Sequence, residues 1–175
     1  MTDSPRDRID EALDAWSVER PDFDLSAAAI TLRLVLLGKY VEAHATRSFA
    51  PYGLQPWEAD VLSALLRQGA PYTLSAGELA RSLLLTCGGM THRLDRLEER
   101  GLVERRPSPE DRRSVLVSLT PQGLATTEEA LERRMADVNE LMKVLDGSER
   151  KRLNELLRQL SAALESMDIG GSSCG

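Results

Sequence analysis

Residues 75 to 120 hold two helix-forming patterns in quick succession and then a period-two ribbon, an order that few architectures accommodate. Ser75-Ala76-Gly77-Glu78 fits a capping box, in which Ser75 bonds the amide of residue 78 and the Glu78 carboxylate reaches back, so a short helix is predicted from Ala76 to Ser82. Thr86 stands where it can cap a second helix whose inward face is Met90, Leu94 and Leu97, and Gly101 stops that helix. Leu102, Val103, Val115, Val117 and Leu119 then carry a period-two pattern on either side of a charged tip, Pro107-Ser108-Pro109-Glu110-Asp111-Arg112-Arg113, which predicts a hairpin. A helix sized for the major groove beside a basic hairpin sized for the minor groove is a way of reading double-stranded DNA.

The residues left exposed on these elements suit that task. Gly88 and Gly89 let the start of the second helix approach base edges closely, while Thr86, Thr91, His92 and Arg96 can donate or accept hydrogen bonds there. Arg112 and Arg113 lie where a narrow minor groove would meet the hairpin, with Asp111 placed to brace one guanidinium. A net charge of −6 has the wrong sign for a nucleic-acid binder, but its distribution answers the objection. Between Arg81 and Arg113, eight arginines face six acids, a local balance of +2, so the rest of the chain carries −8. A phosphate footprint needs positive charge only where the duplex lies.

Helical patterns fill the rest of the chain. Ile9, Leu13 and Trp16 share one face of a short helix that Arg20-Pro21 ends. A longer helix from Ser26 to about Phe49 is apolar on more than one side, which suits burial between subunits. Pro56 opens a helix with Trp57, Val61, Leu62, Leu65 and Leu66 as its buried stripe. Thr120-Pro121 starts another, striped by Leu124, Leu131, Met135, Val138, Met142 and Leu145. After Asp146-Gly147-Ser148, a last stripe runs through Leu153, Leu156, Leu157, Leu160, Leu164 and Met167. One chain has too few neighbours to cover those two faces, which predicts a homodimer through the terminal helices.

The expected fold is therefore mainly α with a small β wing: a winged helix-turn-helix lobe joined to a helical dimerisation lobe. The expected division is an N-terminal helix and linker over 1–24, dimerisation helices over 25–50 and 121–168, the DNA-binding region over 51–120, and a disordered tail over 169–175. Only 4% of the residues are aromatic and 29% are charged, against a sandwich or barrel. No apolar run approaches the roughly 20 residues that span a bilayer, and the N-terminus lacks a secretory h-region, so a cytoplasmic protein without membrane contact is expected.

The string "MTHRLDRLEERGLVERRPSPEDRRSVLVSLTPQG" resembles the winged helix of the MarR family of transcriptional regulators, sharpest in the pairing of "RLDRLEERGLV" with Asp111-x-Arg113. The likeness covers about residues 26 to 167 and implies a homodimer on pseudo-palindromic operators, acting as a repressor that a small anionic or phenolic ligand releases from DNA. The helix ahead of the usual start is similar to a narrower, UrtR-type branch responsive to urate and related anions. That branch combines a Trp on an extra N-terminal helix with one Asp and two Arg, and the matching positions here are Trp16, Asp60, Arg93 and Arg105. The resemblance makes these the candidate effector site. Their chemistry agrees with it, since guanidinium groups clamp anions and an indole stacks on a planar one.

Other readings are kept open. Cys87, at a helix start, is the candidate for a thiol-based redox sensor, although the peroxide-sensing relatives carry their cysteine in the first core helix, where this chain has none. Cys87 and His92 fall on different helical faces and no further ligand pair accompanies them, so no metal is expected. With two histidines, no phosphate-cradling glycine loop and no nucleophile with a base at useful spacing, neither catalysis nor a cofactor is expected. A winged helix used only for protein contacts is the remaining alternative.

Overall fold

The computed structural model describes residues 5–83, 87–109, 111 and 114–167. Thr86, Arg112, Arg113 and the tail assigned to 169–175 lie outside the described residues. Two compact units divide the chain, Met1–Ala45 and Thr46–Gly175.

In the first unit, helix α1 spans Arg8–Glu19 and is opened by Asp7, whose carboxylate accepts from the amides of Ile9 and Asp10. Asp10 in turn accepts from the Asp7 amide at 2.8 Å, a capping box that meets two otherwise unsatisfied amides. Arg33 of helix α2, Ser26–Phe49, bonds the carboxylates of both Asp7 and Asp10, at 2.9 and 2.6 Å. The Arg33 hydrogen bond holds the Asp7 carboxyl below the usual carboxylate range, and the Asp7 amide, with Arg33 after it, does the same for Asp10. Ile30, Leu32, Leu34, Val35, Leu37 and Val41 of α2 are exposed in the single chain, as a helix meant for a partner would leave them.

The second unit begins at the end of α2, where Phe49 is buried and a single 3-10 turn, Ala50–Tyr52, reverses the chain. Helix α3, Pro56–Leu66, contributes Val61, Leu62 and Leu65 to the core with no exposure. Strand β1, Thr73–Ser75, leads directly into helix α4, Ala76–Ser82, with the predicted capping box of Ser75 and Glu78 in place. Helix α5, Cys87–Glu99, turns Met90, Leu94 and Leu97 inward, all at 1% exposure or less. Gly101 ends the turn at φ 69°, a conformation that side chains with a Cβ resist.

Strands β2, Val103–Pro107, and β3, Val115–Leu119, form the antiparallel wing, paired from Val103 with Leu119 to Pro107 with Val115. The sheet has three strands in the order β1-β3-β2, so β1 is an addition to the two-strand ribbon. A three-residue edge strand is too short for its alternation to register. Its pairing makes β3 central, where the Thr73 and Ser118 hydroxyls lie 2.7 Å apart. Val115 departs from the predicted apolar face: it sits next to the hairpin tip and is exposed.

Helix α6, Pro121–Leu141, is capped by Thr120 and buries Gly123, Thr127 and Ala130, packing on α3 and the sheet. Helix α7, Gly147–Ser166, buries no residue at all, and the whole stripe from Leu153 to Leu164 with Met167 beyond it faces solvent. No helix among the described residues is long and apolar enough to cross a membrane.

Candidate nucleic-acid interface

Helix α5 owes its orientation to the inward Met90, Leu94 and Leu97, which leave the opposite side open. Gly88, Gly89, Thr91, His92 and Arg96 are all exposed on it, where the sequence places the DNA contacts. A Cβ at Gly88 would meet nothing within 4 Å, so the fold itself does not demand glycine there. At the wing tip the Ser108 amide donates to the Ser114 carbonyl at 2.9 Å and the Ser114 amide to that of Asp111 at 2.9 Å, closing the turn that precedes β3. Arg112 and Arg113, the two wing arginines assigned to DNA, fall outside the described residues, as does Thr86. Cys87 is the first residue of α5, and its side chain is likewise outside the description.

The first turn of α3 turns out to be the anchor for this helix. Glu58 at its third position is fully buried; its Oε2 accepts from the Gln55 amide at 2.8 Å and from Arg100 Nη1 at 2.7 Å. The Arg93 and Arg96 guanidinium groups lie over the Trp57 ring, 5.2 and 5.3 Å from its centroid, within the range of cation–π attraction. Arg93, Arg96 and Arg100 recur every three or four residues, so they form one stripe along α5 and the residue just past its end, directed at α3. Trp57 therefore does not belong to the core stripe in which the sequence pattern put it: it is only partly buried and faces charge.

The four candidate effector residues fall as follows. Asp60 is on α3, and removal from water pushes its carboxyl above the usual carboxylate range, against the pull of Arg93 and then Arg67. No ion pair joins Asp60 to either arginine among the described residues. Arg105 on β2 is held instead by α5, donating to Glu98 at 2.9 Å from Nε and to Asp95 at 2.8 Å from Nη1. These bonds, Glu98 first, raise the affinity of the Arg105 guanidinium for its proton. At about 100° per residue, Asp95 lies about 160° around α5 from Arg93, and Glu98 about 160° from Arg96. Asp60 and Arg93 are thus neighbours, whereas Arg105 is engaged on the other flank of the helix. Trp16 belongs to the first unit, where it is 52% exposed on α1 and, with Ala12, Ala15 and Glu19, lines a shallow depression. Among the described residues, no group of histidine, cysteine and acid side chains could hold a metal ion.

Glu58, Trp57 and Arg100 escape a sequence reading as functional residues. A signal for Glu58 exists, since Gln55-Pro56-Trp57-Glu58 has capping-box spacing and the Glu58 carboxylate does reach back to the Gln55 amide. The Arg100 pairing spans 42 residues and leaves no local trace.

Known proteins share this fold. The profile of the MarR family matches residues 52–114, the stretch from the turn before α3 to the start of β3. The chain is 30% identical over 156 residues to the HTH-type transcriptional regulator PecS of Dickeya dadantii, covering 89% of this chain and 94% of that one. Its structure is similar to that of a cysteine-to-serine mutant of MarR from E. coli complexed with operator DNA, with a TM-score of 0.69 and 30% identity over 79% of this chain and 99% of the other. AbsC, a MarR family transcriptional regulator from Streptomyces coelicolor, shares the fold at a TM-score of 0.74 and 21% identity, over 82% of this chain and 97% of its own.

Proposed function

The chain belongs to the MarR family of transcriptional regulators, which are not enzymes, and on that premise we propose that it binds an operator in double-stranded DNA as a cytoplasmic homodimer and represses transcription until a small anionic effector releases it. The observation that carries the proposal is the exposed start of α5, with Gly88, Gly89, Thr91 and His92 facing out beside the wing of a chain 30% identical to a regulator solved on operator DNA. The bare apolar faces of α2 and α7 support the dimer, which would set two recognition helices about one DNA turn apart. In this reading Thr86, Arg96, Arg112 and Arg113 supply the remaining contacts. Operator affinity measured across a salt titration tests it: Arg112→Ala and Arg113→Ala should each reduce the steepness of the salt dependence by about 0.9, one phosphate contact, with the dimer intact. Unchanged slopes would remove the wing from the interface, and a monomer at micromolar concentration would remove the twofold reading.

The effector proposed is urate, a purine relative or a small carboxylate or phenolate, engaged by Arg93 with Asp60 beside it, since Arg105 is already held by Asp95 and Glu98. What supports it in this chain is the Asp60–Arg93 pair: an exposed carboxylate on α3 that feels the charge of Arg93 on α5, with no ion pair closed between them. An anion that engages Arg93 alters the charge beside α5 directly. A ligand that favours the DNA-incompetent state about a hundredfold supplies roughly 2.7 kcal/mol to the switch. Addition of urate or a small tricarboxylate should release operator DNA from the native protein, and Asp60→Asn or Arg93→Ala should abolish the release. If none of these anions changes operator affinity, the effector assignment fails while DNA binding stands.

A further inference from the structure

The stripe of Arg93, Arg96 and Arg100 meets the first turn of α3 by two different chemistries. Arg100 pairs with a buried carboxylate, whereas Arg93 and Arg96 share the ring of Trp57 at 5.2 and 5.3 Å. A guanidinium resting over a ring keeps its in-plane N–H groups for hydrogen bonding, so the contact restrains the side chain without consuming its donors. Arg96 remains exposed while so held. A free arginine on a helix surface must surrender its rotamer freedom when it grips a phosphate or a base edge, and one already restrained surrenders less.

We propose that Trp57 is a positioning residue for DNA recognition: its indole holds the Arg96 guanidinium near its working pose before the operator arrives, and Arg93, over the same ring, links that pose to events at Asp60. The inference rests on Arg96 being a DNA contact. Removing the ring lowers affinity without removing a charge, which separates its effect from that of deleting the arginine. Replacing it with another ring preserves most of the restraint.

Operator affinity and its salt dependence, measured for Trp57→Phe, Trp57→Leu, Arg96→Ala and the Trp57→Leu/Arg96→Ala pair, test this directly. Trp57→Leu should weaken binding about fivefold with an unchanged salt slope, and Trp57→Phe should stay within about twofold of the native protein. Arg96→Ala should weaken binding and flatten the slope by about 0.9, and adding Trp57→Leu to it should cost less than about twofold more. An equal loss from Trp57→Leu in both backgrounds would make Trp57 a mere support of the fold and overturn the inference, as would native affinity in the Trp57→Leu variant. Native affinity and slope in Arg96→Ala would instead sink the reading of Arg96 as a DNA contact. Should Trp57→Leu fail to fold, Trp57→Met fills the space with a flexible thioether and no ring, and the same outcomes apply.

Discussion

A single added methyl group at Gly123 is expected to cost this protein about 3 kcal/mol or more, the upper range for overpacking a core, because the group it would strike is backbone. A Cβ there would lie 1.9 Å from the Leu102 carbonyl oxygen and 2.8 Å from its carbon. No side chain can rotate out of the way, so α6 must lift from the junction of α5 and β2. That junction is fastened at two points, the Thr120 hydroxyl donating to the Gly101 carbonyl at 2.7 Å and the Thr120 amide to the Leu102 carbonyl at 3.2 Å, while the Gly123 amide donates to Thr120 Oγ1 at 2.9 Å and so ties the first turn of α6 to the same residue. Urea denaturation of Gly123→Ala should show a lower midpoint with an unchanged slope, and operator affinity should fall with it because the end of the reading helix is part of the same corner. Gly88→Ala is the contrast. Its Cβ would meet nothing within 4 Å and alanine favours a helix over glycine, so stability should hold or rise while only DNA binding suffers. Equal midpoints for native protein and Gly123→Ala would mean that the corner can open without penalty.

The difference between these two glycines shows what a single sequence makes legible. Gly88 can be proposed for DNA approach because it opens a helix with a clear inward stripe. Gly123 gives no such signal, because Thr120-Pro121 already explains the helix start and nothing local says that a carbonyl 21 residues earlier lies against it. The same holds for the sheet. The wing strands declare themselves by alternation, yet β1 spans only three residues and is defined by its partner, Ser75 against Leu116 to Thr73 against Ser118. Capping is the best local signal of all: Ser75 with Glu78 sets the start of α4, and Thr120 that of α6, as their hydrogen bonds confirm. For the candidate effector residues, identity can be proposed from sequence but not arrangement. Arg105 reads as free to meet an anion, whereas Asp95 and Glu98, two acids indistinguishable in sequence from ordinary helix surface, hold it. Trp57 reads as core because it keeps the spacing of Val61 and Leu65, and only the arginines of a helix more than 30 residues later reveal its other face.

The second large effect should come from Arg100→Ala, which strands a carboxylate in the core. Glu58 is 1% exposed at its side chain, and apart from Arg100 its only hydrogen-bond donor among the described residues is the Gln55 amide. Its other oxygen, Oε1, is buried with no partner among them. Breaking a buried ion pair by deleting one partner costs about 3–5 kcal/mol, and since Arg100 is 34% exposed the lower end applies, about 3 kcal/mol. The penalty comes from the charge left behind rather than from the bond lost, and this makes a sharp test. Adding Glu58→Gln to Arg100→Ala removes that charge while keeping an oxygen to accept from the Gln55 amide, so the double variant should recover at least half of the loss. A double variant no more stable than Arg100→Ala alone would show that Glu58 holds no charge worth compensating. Because Arg100 stands one residue beyond α5 and Glu58 in the first turn of α3, this pair also ties the end of α5 to α3. In the recovered double variant, stability should return further than operator affinity does, since the charge is gone but so is the tether.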